Sequence, residues 1–183
     1  GYAKGIDMKI NGEFVKGVES WASLSVMKTE EDIVGDFITN ADGTKTKAGY
    51  IPRPTDQRVN FSMFFQDYIP GKPNYKMHLN LIYGTGLSFG PPNSEKHQDV
   101  LRIPDYRRVD IGFSAVIKSA NKQAKLKWLN AFESIWLSAE VFNLLDINNT
   151  VSYLWVADVS GRQYAVPNYL TARQLNAKLI LSF

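Results

Sequence analysis

The sequence predicts an all-β protein in which about seven antiparallel strands run up and down in succession. Three observations support this prediction. Apolar and polar residues alternate in seven separate segments, the connections between these segments are alternately short and long, and the last segment is an amphipathic strand. An alternation with a period of two places successive side chains on opposite faces of a sheet.

The first three strands are predicted over about residues 4–14, 20–29 and 58–68. The apolar members of their alternation are Ile6, Met8, Ile10, Ala22, Leu24, Val26, Val59, Phe61, Met63 and Phe65. Between the second and third strands, residues 31–56 contain many turn-forming residues (Gly, Pro, Asn and Asp) and are too long for a hairpin turn. We therefore predict a long loop there.

The next three strands are predicted over about residues 75–85, 107–118 and 134–145. Their alternating apolar residues are Met77, Leu79, Leu81, Tyr83, Val109, Ile111, Phe113, Ala115, Ile117, Ile135, Leu137, Ala139 and Val141. Residues 69–74 are predicted to form a tight turn, because two prolines and a glycine do not extend a central strand. Residues 119–132 are expected to contain a helical turn or two around Leu126, Leu129 and Phe132.

The closing strand occupies residues 171–183. Its apolar parity consists of Leu175, Ala177, Leu179, Leu181 and Phe183, and its other parity of Gln174, Asn176, Lys178 and Ser182, with Ile180 as the one apolar exception. Nine or ten tilted residues at about 3.3 Å each cross the hydrocarbon core of a bilayer, and this segment has that length. A final amphipathic strand ending in Phe183 resembles the signal by which outer-membrane β-barrels are recognised by their assembly machinery.

The lengths of the connections also indicate a membrane barrel. Short breaks at residues 15–18, 69–74 and 119–132 alternate with long ones at 31–56, 86–104 and 146–170, as in barrels with short periplasmic turns and long extracellular loops. Aromatic residues lie beside every short break, as an interfacial girdle requires: Phe14, Tyr68, Tyr75, Trp128, Phe132 and Phe183. We therefore predict a transmembrane β-barrel segment with its apolar parity facing lipid.

Two other architectures remain open from the alternation alone. A soluble β-barrel or sandwich that binds a small ligand in an apolar cavity has the same period, with its apolar face turned inward. Large residues on the polar parity are compatible with that arrangement or with a filled lumen: Trp21, Met27, Phe64, Ile82, Val116, Trp136 and Phe142. A complete small membrane barrel is disfavoured because seven is an odd number of strands. With the last strand ending at the periplasmic side, the first strand needs a partner upstream of Gly1, so residues 1–183 are expected to be one segment of a larger barrel.

Several function classes are disfavoured by composition. The chain has no cysteine, so it has neither a disulfide nor a thiolate site, and its net charge of +3 is too scattered to indicate nucleic-acid binding. The two histidines, His78 and His97, lack convergent partners at metal-ligand spacing, although His97 lies near Glu95 and Asp99. No nucleophile motif is present. We expect no enzyme activity, no cofactor and no metal.

Residues 133–183 resemble the C-terminal end of TonB-dependent outer-membrane receptors of the Bacteroidetes type. The runs that carry the resemblance are 140–149 (EVFNLLDINN), 152–156 (SYLWV), 164–171 (YAVPNYLT) and the strand ending at Phe183. The segment 53–58 (RPTDQR) is similar to that family as well. Members of the family have an N-terminal plug domain and a barrel of about 22 strands, so this chain would supply the last third of such a barrel.

The resemblance implies a function and a set of partners. The chain would belong to a transporter in the bacterial outer membrane that takes up a metal chelate, a cofactor or a glycan. It would contact membrane lipid, the plug domain and the upstream barrel strands, it would be coupled to TonB through the plug, and Phe183 would be its assembly signal. On this interpretation, the side chains facing the lumen are those of His78, Asn80, Arg108, Asp110, Glu140 and Lys178.

Overall fold

The chain folds almost entirely into β-strands. The computed structural model describes residues 1–15, 18–92, 94, 100–120 and 126–183. The strands are β1 (Tyr2–Val15), β2 (Val18–Asp32), β3 (Phe37–Thr39), β4 (Lys45–Lys47), β5 (Tyr50–Pro52), β6 (Val59–Ile69), β7 (Lys72–Gly84), β8 (Ser88–Phe89), β9 (Leu101–Arg102), β10 (Tyr106–Lys118), β11 (Ser134–Phe142), β12 (Thr150–Ala157), β13 (Gln163–Tyr169) and β14 (Gln174–Ser182). A short 3-10 helix, Lys127–Ala131, lies between β10 and β11.

Seven long strands form one antiparallel sheet in the order β1-β2-β6-β7-β10-β11-β14, with β5 added beside the end of β2. Each long strand pairs with the next one along the chain, so the predicted all-β, up-and-down fold is confirmed. Strands β1 and β14 form the two edges of the sheet. Closure of this sheet into a barrel stays a prediction.

The register keeps apolar and polar side chains on separate faces across the whole sheet. Residues directly opposite on neighbouring strands point to the same side. One such row consists of Phe65, Leu79, Ile111, Val141 and Leu175, and the adjacent row on the other face consists of Gln66, His78, Gly112, Glu140 and Asn176. We call these two surfaces the apolar face and the polar face.

Exposure is inverted relative to a soluble protein. On the apolar face, Leu175 is 83% exposed and Ile10 is 75% exposed, whereas on the polar face Asp110 is only 6% exposed and Ser138 only 5%. Among the described residues, three apolar side chains are buried: Val18, Ile51 and Ile135. The described part of the chain therefore lacks the apolar core that a soluble domain of this length builds.

The three long connections are more ordered than the sequence predicts. We call them the first (residues 33–58), second (85–105) and third (143–173) long connection. They contain the strand pairs β3–β4, β8–β9 and β12–β13 respectively, none of which was expected from the sequence. These strands are short or lack a regular alternation of apolar and polar residues, so the pattern that identifies half-buried strands is weak in them.

Two predicted boundaries were wrong. The turn expected at residues 69–74 consists of Pro70 and Gly71, and Pro73 lies inside β7. A proline is tolerated at this position near the start of β7, because the pairing of β7 with β6 is interrupted opposite it, between Tyr68 and Ile69. The sixth strand was expected to reach residue 145 but ends at Phe142, since Asn143 adopts a positive φ of 52° that interrupts the extended backbone.

The short connection before β11 contains the expected helical turn, as a 3-10 helix. The backbone N–H of Glu133 donates to the carbonyl of Ser182 at 2.7 Å, and the rings of Phe132 and Phe183 are 5.0 Å apart. Phe183 thus lies at the end of the sheet that carries the short connections, and its side chain is exposed. Of the six predicted girdle residues, Phe14 has a side chain outside the described residues. In the described part of the chain, no helix is long and apolar enough to cross a membrane.

Candidate functional site

The six residues predicted to face a lumen all lie on the polar face. Asn80 is directly opposite Asp110, and Glu140 is in the same row as His78. Arg108 lies two residues before Asp110 on β10, and Lys178 lies opposite Ser138 on β14. The structure divides the six into two clusters, one around Asp110 and one around Glu140.

The Asp110 cluster is a closed hydrogen-bond network. The Asp110 carboxylate accepts hydrogen bonds from Arg108 Nε at 2.7 Å, from Asn80 Nδ2 at 3.3 Å and from the backbone N–H of Asn143 at 2.9 Å. The Arg108 guanidinium also lies 5.6 Å from the ring centre of Phe142. Because the carboxylate is buried and already has three donors, this cluster holds the start of the third long connection against β10 rather than offering a free charge.

The Glu140 cluster is more open. Glu140 accepts a hydrogen bond from Asn176 Nδ2 at 2.8 Å and a longer one from Lys178 Nζ at 3.5 Å. The His78 imidazole lies across Gly112, where an added Cβ would be 2.0 Å from His78 Cε1. Glycine at position 112 thus leaves room for the imidazole between β7 and β11, in the same row as Glu140.

A groove of about 460 Å³ runs over the Glu140 cluster. Its polar lining includes Gln66, Lys76, Ser114 and Ser138 besides the predicted His78, Glu140 and Lys178, and its apolar lining includes Phe64, Trp136 and Ile180. The sequence-based site omitted these additional residues, although their parity placed them on the same face. The groove contains charged, hydroxyl and aromatic groups that can bind and orient a molecule.

A second network joins the long connections, and sequence reasoning missed it. Asp56 in the first long connection is completely buried and accepts hydrogen bonds from the backbone N–H of Thr29 at 2.7 Å and from Arg58 Nε at 2.7 Å. Arg102 of β9 donates to the Asp56 carboxylate, to the Asp56 carbonyl at 2.9 Å and to the Gly86 carbonyl at 2.9 Å. The first and second long connections are therefore held together by one buried carboxylate.

The charge state of Asp56 follows from these partners. Burial alone would raise the pKa of the Asp56 carboxyl, but the Thr29 N–H and the guanidinium groups of Arg102 and Arg58 outweigh it and hold that pKa below its ordinary value. Asp56 is therefore ionised at neutral pH. The only sequence signal for this role was its position in the 53–58 segment that resembles the receptor family.

The third long connection is attached to the second by rings and to β10 by an amide. Phe89 stacks on Tyr153 with ring centres 4.6 Å apart and lies 6.1 Å from Trp155. The Asn149 side chain accepts from the N–H of Arg107 at 2.8 Å and donates to its carbonyl at 2.9 Å. All three long connections thus form one assembly at the same end of the sheet.

Residues 143–146, which belong to one of the runs (140–149) on which the resemblance rests, have a structural role. Asn143 and Asp146 both have positive φ, 52° and 54°, and the Asn143 amide makes hydrogen bonds with the N–H and the carbonyl of Ile147. Asp146 accepts from the N–H of Arg173 at 2.9 Å and so fixes the far end of the same connection. This Asn-Leu-Leu-Asp element closes the third long connection on itself.

No group of three or more His, Asp or Glu side chains that could hold a metal ion occurs within the described residues. His97, with its neighbours Glu95 and Asp99, lies outside them. No family model matches the chain, and neither a curated protein nor a solved structure matches it.

Gly112→Ala is expected to displace the His78 imidazole, because the new Cβ would occupy the place of Cε1. Overpacking of this kind costs about 1 to 3 kcal/mol unless the ring swings away. With two histidines in the chain, the imidazole C–H resonances in an NMR spectrum are easily assigned with a His97→Gln variant. The His78 resonances should move while those of His97 do not.

The matched control is Gly12→Ala, where nothing lies within 4 Å of the new Cβ. Equal spectra for wild type and Gly112→Ala would contradict the placement of His78.

Asp56→Asn is expected to lower the free energy of unfolding by about 2 to 3 kcal/mol at pH 7, since two guanidinium groups lose their buried counter-charge. The lowered pKa of Asp56 also determines how the free energy of unfolding depends on pH. Its stabilising contribution is complete above the unfolded-state pKa of about 4, and it is lost as pH falls through the lower folded-state pKa. Urea unfolding between pH 2 and 7 should therefore show a shallower acid loss in the variant than in the wild type.

The control for this measurement is Asp42→Asn, at an exposed hairpin tip where, within the described residues, the side chain accepts hydrogen bonds from Thr44 alone. Its effect should stay within about 0.5 kcal/mol at pH 7. Equal losses for the two variants would show that the Asp56 network does not hold the connections together.

Proposed function

We propose that this chain is a wall segment of an outer-membrane β-barrel transporter of the TonB-dependent receptor type. The observation that supports this most directly is the exposed apolar face. Its large apolar side chains are exposed on β1, β2, β7, β10, β11 and β14, whereas on the opposite face the Asp110 carboxylate is buried and paired with Arg108. Exposed apolar area of this extent is unfavourable in water, and it is favourable against lipid.

The distribution of the connections supports the same function. The turns at one end are short, and the three long connections, which are bonded to one another through Asp56 and Phe89, lie together at the other end. In a transporter these long connections would cover the external mouth. The polar face would line the lumen and contact the plug or the passing nutrient through hydrogen bonds.

The edges of the sheet support a larger barrel. Seven antiparallel strands leave β1 and β14 running in the same direction, so these two edges do not pair antiparallel with each other. An odd number of additional strands is needed to close an all-antiparallel wall. In the proposed transporter these strands and the plug come from the upstream part of the same polypeptide, and uptake of a metal chelate, a cofactor or a glycan is driven through TonB.

The soluble ligand-binding alternative would require the apolar face to be covered. A shallow depression of about 490 Å³ on this face is lined by Ile111, Phe113, Ala139, Val141, Leu175 and Ala177. No second layer covers it within the described residues, and the small pair Ala139 and Ala177 leaves space there that a lipid chain fills as readily as a ligand. We therefore favour the membrane segment.

Single cysteines distinguish the two orientations, because the chain has none of its own. In membranes that contain the protein, cysteines at Leu179 and Leu181 should not react with a water-soluble maleimide, since lipid covers them. A cysteine at Lys178, on the opposite face, should react. A cysteine at the exposed hairpin residue Asp42 serves as the reactive control. Reaction at Leu179 and Leu181 without reaction at Lys178 would reverse the assignment of faces.

Cell fractionation tests the function class. The protein produced from its natural gene should be found with the outer membrane and should change its gel mobility on heating, since a closed barrel resists detergent until it is heated. A product found free in the periplasm, with the same mobility before and after heating, would refute the transporter and favour the small-ligand-binding protein.

A further inference from the structure

The groove over the Glu140 cluster has more positively than negatively charged side chains. Lys76 and Lys178 line it, together with the hydroxyls of Ser114 and Ser138 and the amide of Gln66. Among the described residues Glu140 is the one carboxylate lining it, and it is already hydrogen-bonded to Asn176 and Lys178. A negatively charged ligand complements this set.

The two ammonium groups lie at opposite sides of the groove. Lys76, Ser114, Ser138 and Lys178 form one row across four adjacent strands, so the two lysine backbones are about 14 Å apart at the usual strand spacing. Lys76 Nζ lies 5.8 Å from the ring centre of Tyr68 and has no carboxylate within ion-pair distance in the described part of the chain. Its charge is therefore available to a ligand.

The middle of the row supplies a further donor and an apolar surface. The Ser114 and Ser138 hydroxyls are 2.8 Å apart, so one of their two hydrogens is used between them and the other remains available. Trp136 lies in the next row, opposite Val116 and Ile180, and forms an apolar wall of the groove. The groove thus offers a positive rim and a flat apolar side.

We infer that this groove binds a small organic anion, a carboxylate with an apolar body, whose acidic group lies between Lys76 and Lys178 and whose body packs on Trp136. Charge complementarity selects this class, because the fixed charges lining the groove are two ammonium groups against one carboxylate. This inference deepens the proposed function by naming the chemistry of the molecule held at the lumen side.

Fluorine NMR of the full chain in an uncharged detergent tests the inference. The chain has four tryptophans, so 5-fluorotryptophan labelling gives one resonance each for Trp21, Trp128, Trp136 and Trp155, and Trp136→Phe assigns the one at the groove. The probe is 3-phenylpropanoate, and its uncharged match is 3-phenylpropanamide. The Trp136 resonance should shift saturably with the carboxylate and not with the amide, while the resonance of exposed Trp128 stays in place.

Lysine variants identify the charges responsible. Lys178→Gln and Lys76→Gln should each weaken binding of 3-phenylpropanoate about tenfold, since each removes one charge-assisted hydrogen bond. Lys45→Gln, on the exposed strand β4, is the matched control and should leave the affinity unchanged. The remaining three tryptophan resonances report whether each variant is folded.

Three outcomes would overturn the inference. They are equal shifts with the carboxylate and the amide, an affinity that neither groove lysine changes, and a Trp136 response to a polyglutamate peptide alone, which would assign the groove to an acidic polypeptide segment. The cysteine labelling at Leu179 and Lys178 is independent of these measurements. A failure of the transporter assignment is thus distinguishable from a failure of the anion site.

Discussion

The structure depends on one constraint, the cross-strand register of the seven long strands, which holds through their central parts and shifts near the strand ends at Glu13/Val15, Tyr68/Ile69 and Val116/Lys118. A slip of a single residue between any two strands would turn an apolar row toward the polar face. The row that includes Ile111 and Leu175 continues across β6, β7, β10, β11 and β14 without such a slip. The sheet therefore has two chemically different surfaces, and the chemistry of each surface determines whether apolar or polar groups can pack against it.

The sheet and the long connections are held together by different interactions. In the sheet, backbone ladders supply the cohesion, and charged side chains of the polar face such as Arg108 and Asp110 are paired locally. At the end with the long connections, one buried carboxylate and a stack of rings join segments far apart in the sequence. Asp56 and Arg102 are 46 residues apart, and the Arg102 guanidinium satisfies carbonyls of two different connections. The sheet is therefore held by backbone hydrogen bonds, whereas the long connections are held by a few specific side-chain contacts, one of which can be titrated.

The sequence predicted the seven long strands because half-buried strands leave an alternation that needs no knowledge of distant contacts. It also placed His78, Asn80, Arg108, Asp110, Glu140 and Lys178 on one face, since parity alone determines this. It did not separate them into two clusters, because that depends on the stagger between strands. The Asp56 network and the β12–β13 hairpin were missed for a related reason. A buried ion pair across 46 residues has no local periodicity, and in β12 apolar residues such as Tyr153, Leu154, Trp155 and Val156 follow one another without alternation.

Asn149 acts as a substitute for a piece of strand. Its amide group makes the same pair of hydrogen bonds with Arg107 that a neighbouring backbone would make, one accepted and one donated. The backbone N–H and carbonyl of Arg107 are therefore hydrogen-bonded although, within the described residues, no strand pairs with β10 on that side. The chain can leave the sheet at that point without unpaired backbone groups. The same feature is a chemical weak point. Hydrolysis of the Asn149 amide to a carboxylate would place two acceptors against each other at the Arg107 carbonyl and would so remove one of the contacts that hold the third long connection against β10.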